Sequence, residues 1–179
     1  MQHFALTIIG RDRPGIVSGT AEILYHLGCN IADSSSTILG GQFAMILILS
    51  HPEIDDLATI RQAFTELEEQ GLSVFVRALK PGGEKRPQLP GEQCMISVYG
   101  SDKPGIVYRV AKKLSDHNIN IVDLNTTLAG SEQRPIYVMM CESVLPQDMD
   151  SDDLKALMDK LSSEISVDIT VRTITPVEL

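Results

Sequence analysis

The chain has 179 residues, 43% hydrophobic and 22% charged; that globular composition excludes disorder, collagen and coiled coil, and the length suits one large domain or two small ones. The longest apolar run, Phe43 to Leu49, is far short of the roughly 20 residues of a membrane helix, and Met1-Gln2-His3 does not open like a signal peptide, so a soluble cytoplasmic protein is expected. With 24 acidic and 15 basic residues the formal charge is −9; residues 1–80 contribute 5 − 9 = −4 and residues 93–179 contribute 8 − 13 = −5, which disfavours any direct grip on nucleic acid.

Residues 4–9, Phe-Ala-Leu-Thr-Ile-Ile, form a short apolar run ending at Gly10, the pattern of a buried central strand. A helix start signal follows, with Asp12 as N-cap and Pro14 in the first turn, and Ile16, Thr20, Ile23, Leu24 and Leu27 share one helical face. Gly28 stops the helix in the left-handed conformation. Asn30 to Ile38 predicts a strand, Gly40-Gly41 a hairpin, and Phe43 to Ser50 the returning strand. A second helix carries Ile54, Leu57, Ile60, Phe64 and Leu67, and Leu72 to Leu79 closes the unit as a last strand.

The pattern then starts again. Residues 4–40 align without gaps on 94–130, at an offset of 90, with 13 of 37 positions identical. Such a period suits a duplicated small domain rather than a solenoid unit. Residues 1–80 are the first domain, 93–179 the second, and 81–92 a linker; six of the twelve residues from Lys80 to Gly91 are proline or glycine. In the second copy Asp102 is the expected N-cap, Ile106, Val110 and Leu114 the helix face, and Asn118 the stop. Asn120 to Leu128 is the second strand, with Val122, Leu124 and Leu128 inward and Asp123, Asn125 and Thr127 outward. Gly130 to Pro135 reads as a longer loop before a strand over Ile136 to Cys141. Leu154, Leu157, Met158 and Leu161 mark the second helix, and Ile165 to Ile174 the last strand. The fold class is therefore α+β: two tandem ferredoxin-like βαββαβ domains, each an antiparallel sheet with helices on one face.

Catalytic and metal-binding signatures are missing from the sequence: there is no Gly-x-Ser-x-Gly, His-Glu-x-x-His, Cys-x-x-Cys or phosphate-binding glycine loop, and no enzyme activity, metal or cofactor is expected. None of His3, His26, His51 and His117 repeats between the copies, and Cys29, Cys94 and Cys141 lie in apolar runs as buried thiols. Arg109, Lys112 and Lys113 form a basic stripe read as a solvated helix face. What does repeat is Gly-x-Asp-(Arg or Lys)-Pro-Gly-Ile-Val, at Gly10–Val17 and Gly100–Val107. Its glycines allow close backbone approach, and the helix amides near Gly15 and Ile16, or Gly105 and Ile106, suit a small carboxylate. For an amino acid, Asp12 and Asn30, or Asp102 and Asn120, could accept hydrogen bonds from the ammonium. Each of these residue types also has a local folding use, so the turn alone supports a ligand site and a folding device about equally.

This turn, followed about fifteen residues later by Asn-Ile-x-Asp, resembles the ACT domain, an amino-acid-sensing regulatory module, and the resemblance spans both copies. It implies the βαββαβ fold, side-by-side association, and an amino acid held between the turn of one module and a neighbouring module. The implied ligand set is Asp12, Arg13, Gly15, Ile16, Asn30 and Ile31 in the first copy, and Asp102, Lys103, Gly105, Ile106, Asn120 and Ile121 in the second. A free-standing pair resembles the ACT-type repressors of glycine cleavage genes. That likeness implies a response to a small amino acid, glycine first, acting through a DNA-binding transcriptional activator without touching DNA; separately, the outward side of the sheet and the module edges, which carry Ile31 and Ile121, lead us to expect pairing of the two modules within the chain and a homodimer of chains. A trans-acting regulatory subunit of a metabolic enzyme and a ligand-free assembly module are the other readings open at this point.

Overall fold

The computed structural model describes residues 1–54, 56–80, 91–131 and 133–174. The chain divides into two compact units, Met1–Pro87 and Gln88–Leu179, and of the expected linker at 81–92, residues 81–90 lie outside the described residues.

In the first unit, β1 (Gln2–Arg11), α1 (Ile16–His26), β2 (Asn30–Leu39), β3 (Gln42–His51), α2 (Leu57–Ala63), α3 (Thr65–Glu69) and β4 (Ser73–Ala78) follow one another. The sheet order is β2-β3-β1-β4 with every pairing antiparallel. Alternation decides the faces: Phe4, Leu6 and Ile8 of β1 and Phe43, Met45, Leu47 and Leu49 of β3 are buried beneath the helices with Ile16, Leu24, Ile60 and Phe64. Ala5, Thr7 and Ile9 point to the opposite, open face. The second unit repeats this with β5 (Gln93–Gly100), α4 (Ile106–Asp116), β6 (Asn120–Ser131), β7 (Arg134–Val144), α5 (Ser151–Ile165) and β8 (Asp168–Thr173), in the order β6-β7-β5-β8. Its core gathers Ile96, Val98, Val110, Leu114, Met139, Leu154 and Met158. The expected fold class is the one observed.

Several local expectations need correction. The second helix of the first unit is two short helices broken at Phe64. That residue is fully buried with φ −95° and ψ 3°, so anchoring its ring in the core takes precedence over a continuous helical ladder. The expected loop from Gly130 to Pro135 is mostly strand, since Gly130 pairs with Pro135 and Ser131 with Arg134. Four extra residues thus lengthen this hairpin by two rungs instead of widening its turn: Phe43 faces Gly10 in the first unit, and Tyr137 faces Gly100 in the second. Leu128 does lie on the helix side of the sheet, opposite Tyr137, but is 59% exposed, toward the hairpin end of the edge strand β6 and beyond Ile121 and Leu124, which pack against the core. The last strands begin later than expected, at Ser73 and Asp168, and Ile165 belongs to α5.

Candidate functional site

The repeated turn sits where the central strand of each sheet gives way to its first helix. Neither Asp12 nor Asp102 caps that helix, contrary to expectation. The N-caps are Gly15 and Gly105, both in the left-handed region at φ 96°, and neither helix end receives a side-chain hydrogen bond. The left-handed glycine swings the chain abruptly into the helix, which leaves an aspartate three residues earlier out of capping reach. The first amides of α1 and α4 therefore receive no side-chain cap, and they lie at the positive end of the helix dipole. An added Cβ on Gly15 or Gly105 would meet nothing within 4 Å, so the space above the helix start is free. The Ile16 and Ile106 side chains are buried at 2% and 4% exposure; only their backbone faces the turn.

Other groups fix the turn in place. The Asp12 amide donates to the Gly41 carbonyl at 2.9 Å, tying it to the β2–β3 hairpin. A guanidinium nitrogen of Arg13 donates to Gln70 Oε1 at 2.5 Å. Gly10 cannot carry a side chain, because a Cβ there would lie 2.7 Å from Leu72 Cδ2 and 3.0 Å from the Gly71 carbonyl; at Gly100 it would lie 2.8 Å from Val167 Cγ1. The glycine that opens the motif thus serves packing, and the one that ends it sets the helix entrance.

A cleft of about 470 Å³ opens at the first turn, between Asp12, Arg13 and Val17 on one side and Ala21, Ile38 and Phe43 on the other. In the second unit a smaller cleft, about 180 Å³, lies beside Lys103 and Gly105 with Arg109 and Glu164. Tyr137, which takes the place of Phe43 opposite Gly100, is not among the residues lining this cleft. Its hydroxyl oxygen is enclosed without a hydrogen bond of ordinary geometry; burial pushes its pKa up, the neighbouring Thr126 side chain draws it back, and the Asp102 carboxylate adds to the rise. Phe43 and Tyr137 escape a gap-free repeat alignment, which ends at Gly40 and Gly130, and Ile38 lies inside it opposite a non-identical Leu128; allowing for the four extra hairpin residues superposes Phe43 on Tyr137.

The structure does not bring Asn30 to the turn of its own module. Asn30 pairs with Ser50, which pairs with His3, whereas Ile38, Phe43 and Gly10 share the rung at the turn end. Ser50 and Phe43 are seven residues apart on β3, about 24 Å of strand. Asn120, opposite Val144 and Gln93, is equally remote from Gly100. Antiparallel pairing causes this, since a strand entered after the helix starts at the far end of the sheet. Ile31, beside Asn30, is 41% exposed on the edge strand, and Ile121 is half-buried against the core. Among the described residues no group of three or more His, Cys, Asp or Glu side chains could hold a metal ion, and no helix is long and apolar enough to cross a membrane.

Fold and turn together define an ACT-domain protein, and ACT-domain family models match residues 2–77 and 95–165. The chain belongs to the ACT-domain family, as a tandem pair of these regulatory modules. It is 26% identical over 175 residues to the glycine cleavage system transcriptional repressor of Escherichia coli K12, covering 94% of this chain and 90% of that protein. Over 79 residues it is 37% identical to a UPF0237 protein of Methanopyrus kandleri, covering 43% of this chain and 88% of that one. Among solved structures, a protein of unknown function from Galdieria sulphuraria superposes with a TM-score of 0.81 at 26% identity, over 97% of this chain and 99% of that one. A structure assigned provisionally as a glycine cleavage system transcriptional repressor has the same fold, with a TM-score of 0.73 at 19% identity over 98% of each chain.

Proposed function

We propose that this chain is an amino-acid-responsive repressor of glycine cleavage system transcription, with glycine as its first ligand, acting as a cytoplasmic homodimer on a DNA-binding activator protein and not on DNA. The observation that carries this reading is the likeness to the E. coli repressor, which runs through both modules and 94% of the chain. The site chemistry is consistent with it. A carboxylate would lie over the open amides at Gly15–Val17 or Gly105–Val107, with Asp12 or Asp102 receiving the ammonium. Because Asn30 and Asn120 sit at the far end of their own sheets, they can take part only when a neighbouring module carries its asparagine to the turn, with Ile31 or Ile121 beside it. Arg13 and Lys103 border the clefts and favour an anionic group. The role is binding, without catalysis or cofactor.

A thermal-shift panel of the common amino acids tests this. At about 100 times the dissociation constant, linkage adds roughly 2.7 kcal/mol and raises the melting temperature by about 5–10 °C. The informative variant is Asp12→Ala combined with Asp102→Ala: both carboxylates are exposed, so the fold persists while the shift disappears. Substituting Gly15 or Gly105 is uninformative, because at φ 96° any side chain strains the backbone whatever the space above it. A panel at millimolar concentration that gives no shift, or a shift that survives the double replacement, makes the turn a folding device.

A further inference from the structure

We propose that the open sheet face of the first module is a self-association surface, on which the same face of a second copy of this chain packs about a twofold axis running along the strands. The face is apolar at its centre. One rung reads Ser35, Ile46, Thr7, Phe75 across β2, β3, β1 and β4, and the next reads Thr37, Ala44, Ile9, Ser73. Ile9, Ile46 and Phe75 are 42%, 52% and 64% exposed, a cluster of large apolar side chains on a face that no helix of the module covers.

Charge placement identifies the occupant. The rung on the other side of the centre reads Asp33, Ile48, Ala5, Arg77, so a carboxylate and a guanidinium stand at opposite edges of one row, three strand spacings or about 14 Å apart. A twofold axis parallel to the strands keeps the strand direction and exchanges the two edges. It lays β2 of one copy over β4 of the other, Asp33 over Arg77 and Arg77 over Asp33, while Ile46 meets Thr7 across the interface. Sheets packed in this aligned way lie about 10 Å apart, a gap an extended arginine and an aspartate span together. The surface is thus complementary to itself, as an isologous contact requires.

The bulge at Ala32 produces this arrangement: Ile31 pairs with Leu49 on the helix side, and Asp33 then pairs with Ile48, which puts its carboxylate on the open side. The second module repeats the edge charges, with Asp123, Glu142, Met95 and Arg172 on one rung. There Glu142 lies on an inner strand, where a packed copy would bury it unpaired, and this assigns the contact to the first module. Four strands by six residues give about 400 Å² of sheet per copy, about half of what each partner buries in a standard specific interface, so the dimer is weak.

Sedimentation equilibrium on the full chain from about 10 to 500 µM, in low salt to limit screening, tests this proposal. The expected result is a mass rising from 19.6 kDa toward twice that value, with or without glycine. Phe75→Glu and Ile46→Asp each hold the protein monomeric. Asp33→Arg or Arg77→Asp alone weakens association at least tenfold, because each creates two like-charge contacts, and the double reversal Asp33→Arg with Arg77→Asp restores it. All four positions are surface sites, and circular dichroism verifies that each variant is folded. A strict monomer at 500 µM, a dimer indifferent to Phe75→Glu and Ile46→Asp, or a double reversal no better than its single parents overturns the proposal. A strict monomer also removes the homodimer from the proposed function, whereas none of these outcomes depends on the turn, so the ligand reading stands or falls separately.

Discussion

Individual residues in this protein are often placed by a backbone need that their side-chain chemistry obscures. Asp12 resembles a cap but is displaced from that role by Gly15, and the capping groups that do operate are less obvious. His51 Nδ1 accepts from the amides of Glu53 and Ile54 at 3.0 and 2.7 Å, so an unrepeated histidine closes the loop before α2. The thiols also separate by environment. Cys94 and Cys141 are buried and free, whereas Cys29 is half-buried. Burial pushes the Cys141 thiol up to about 11, with Asp123 adding to the rise; burial also raises Cys94 and Cys29. At pH 8, a thiol reagent such as DTNB is expected to modify Cys29 first, with Cys94 and Cys141 reacting only as the second module opens. The linkage sign follows from the raised native value. Below pH 9 both states of Cys141 hold the proton and the contribution is fully present; between pH 9 and about 11 the unfolded state loses its proton first, and stability falls. Denaturation midpoints at pH 8, 9.5 and 10.5 should decline, and Cys141→Ala should flatten that decline. Three equally fast thiols at pH 8 contradict the placement.

At the scale of elements, what was legible in the sequence is what periodicity encodes. The core faces of α1 and α4 and both helix stops follow from residue spacing, and Gly28 and Asn118 do adopt left-handed angles, φ 71° and 55°. Hairpin geometry was less legible, because Gly130 and Pro135 signal a loop while the pairing partner across the ladder makes them strand. Bulges at Ala32 and Val122 have no composition signal at all, since one extra residue shifts which face a side chain takes without changing residue type. For the candidate site, the turn was legible as a motif, but the separation of Asn30 from Asp12 follows only from antiparallel pairing. The α5 start shows what a local signal looks like when it does operate. Asp150 accepts from the Asp153 amide at 2.9 Å and the Asp153 carboxylate reaches back to the Asp150 amide at 3.4 Å, a reciprocal capping box. Glu92 adds to it from a distance, accepting from the Ser151 amide at 2.9 Å and from Thr173 Oγ1 at 2.8 Å. Asp150→Ala is expected to destabilise the second module by about 1 kcal/mol, lowering its melting temperature by roughly 4–8 °C. Calorimetry that finds the transitions of Asp150→Ala and the unsubstituted protein superposed would place the helix start under other control.

For the whole molecule, charge sets the terms on which a transcriptional role can operate. Both halves are acidic, −4 over residues 1–80 and −5 over 93–179, and two of the cations have side-chain partners. Lys112 is paired with Asp116 on the surface of α4, and Arg13 is held by Gln70. Affinity for duplex DNA grows by releasing counterions from several neutralised phosphates, which takes a cluster of free cations on one surface; a chain of net charge −9 is instead repelled at long range. α1 has no lysine or arginine, and the short basic stripe of α4, Arg109, Lys112 and Lys113, has Lys112 paired with Asp116. The protein alone is therefore expected to leave double-stranded DNA unshifted at physiological salt, including promoter fragments of glycine cleavage genes, up to concentrations of about 10 µM. On the proposed reading, adding a DNA-binding activator should produce a ternary complex that glycine dissociates. Electrophoretic mobility and fluorescence anisotropy measure both. Binding of the isolated chain tighter than micromolar, with the steep salt dependence of phosphate contacts, would mean that it acts on DNA directly, and a cation surface would then have to be found by substituting Arg109, Lys112 and Lys113 one at a time.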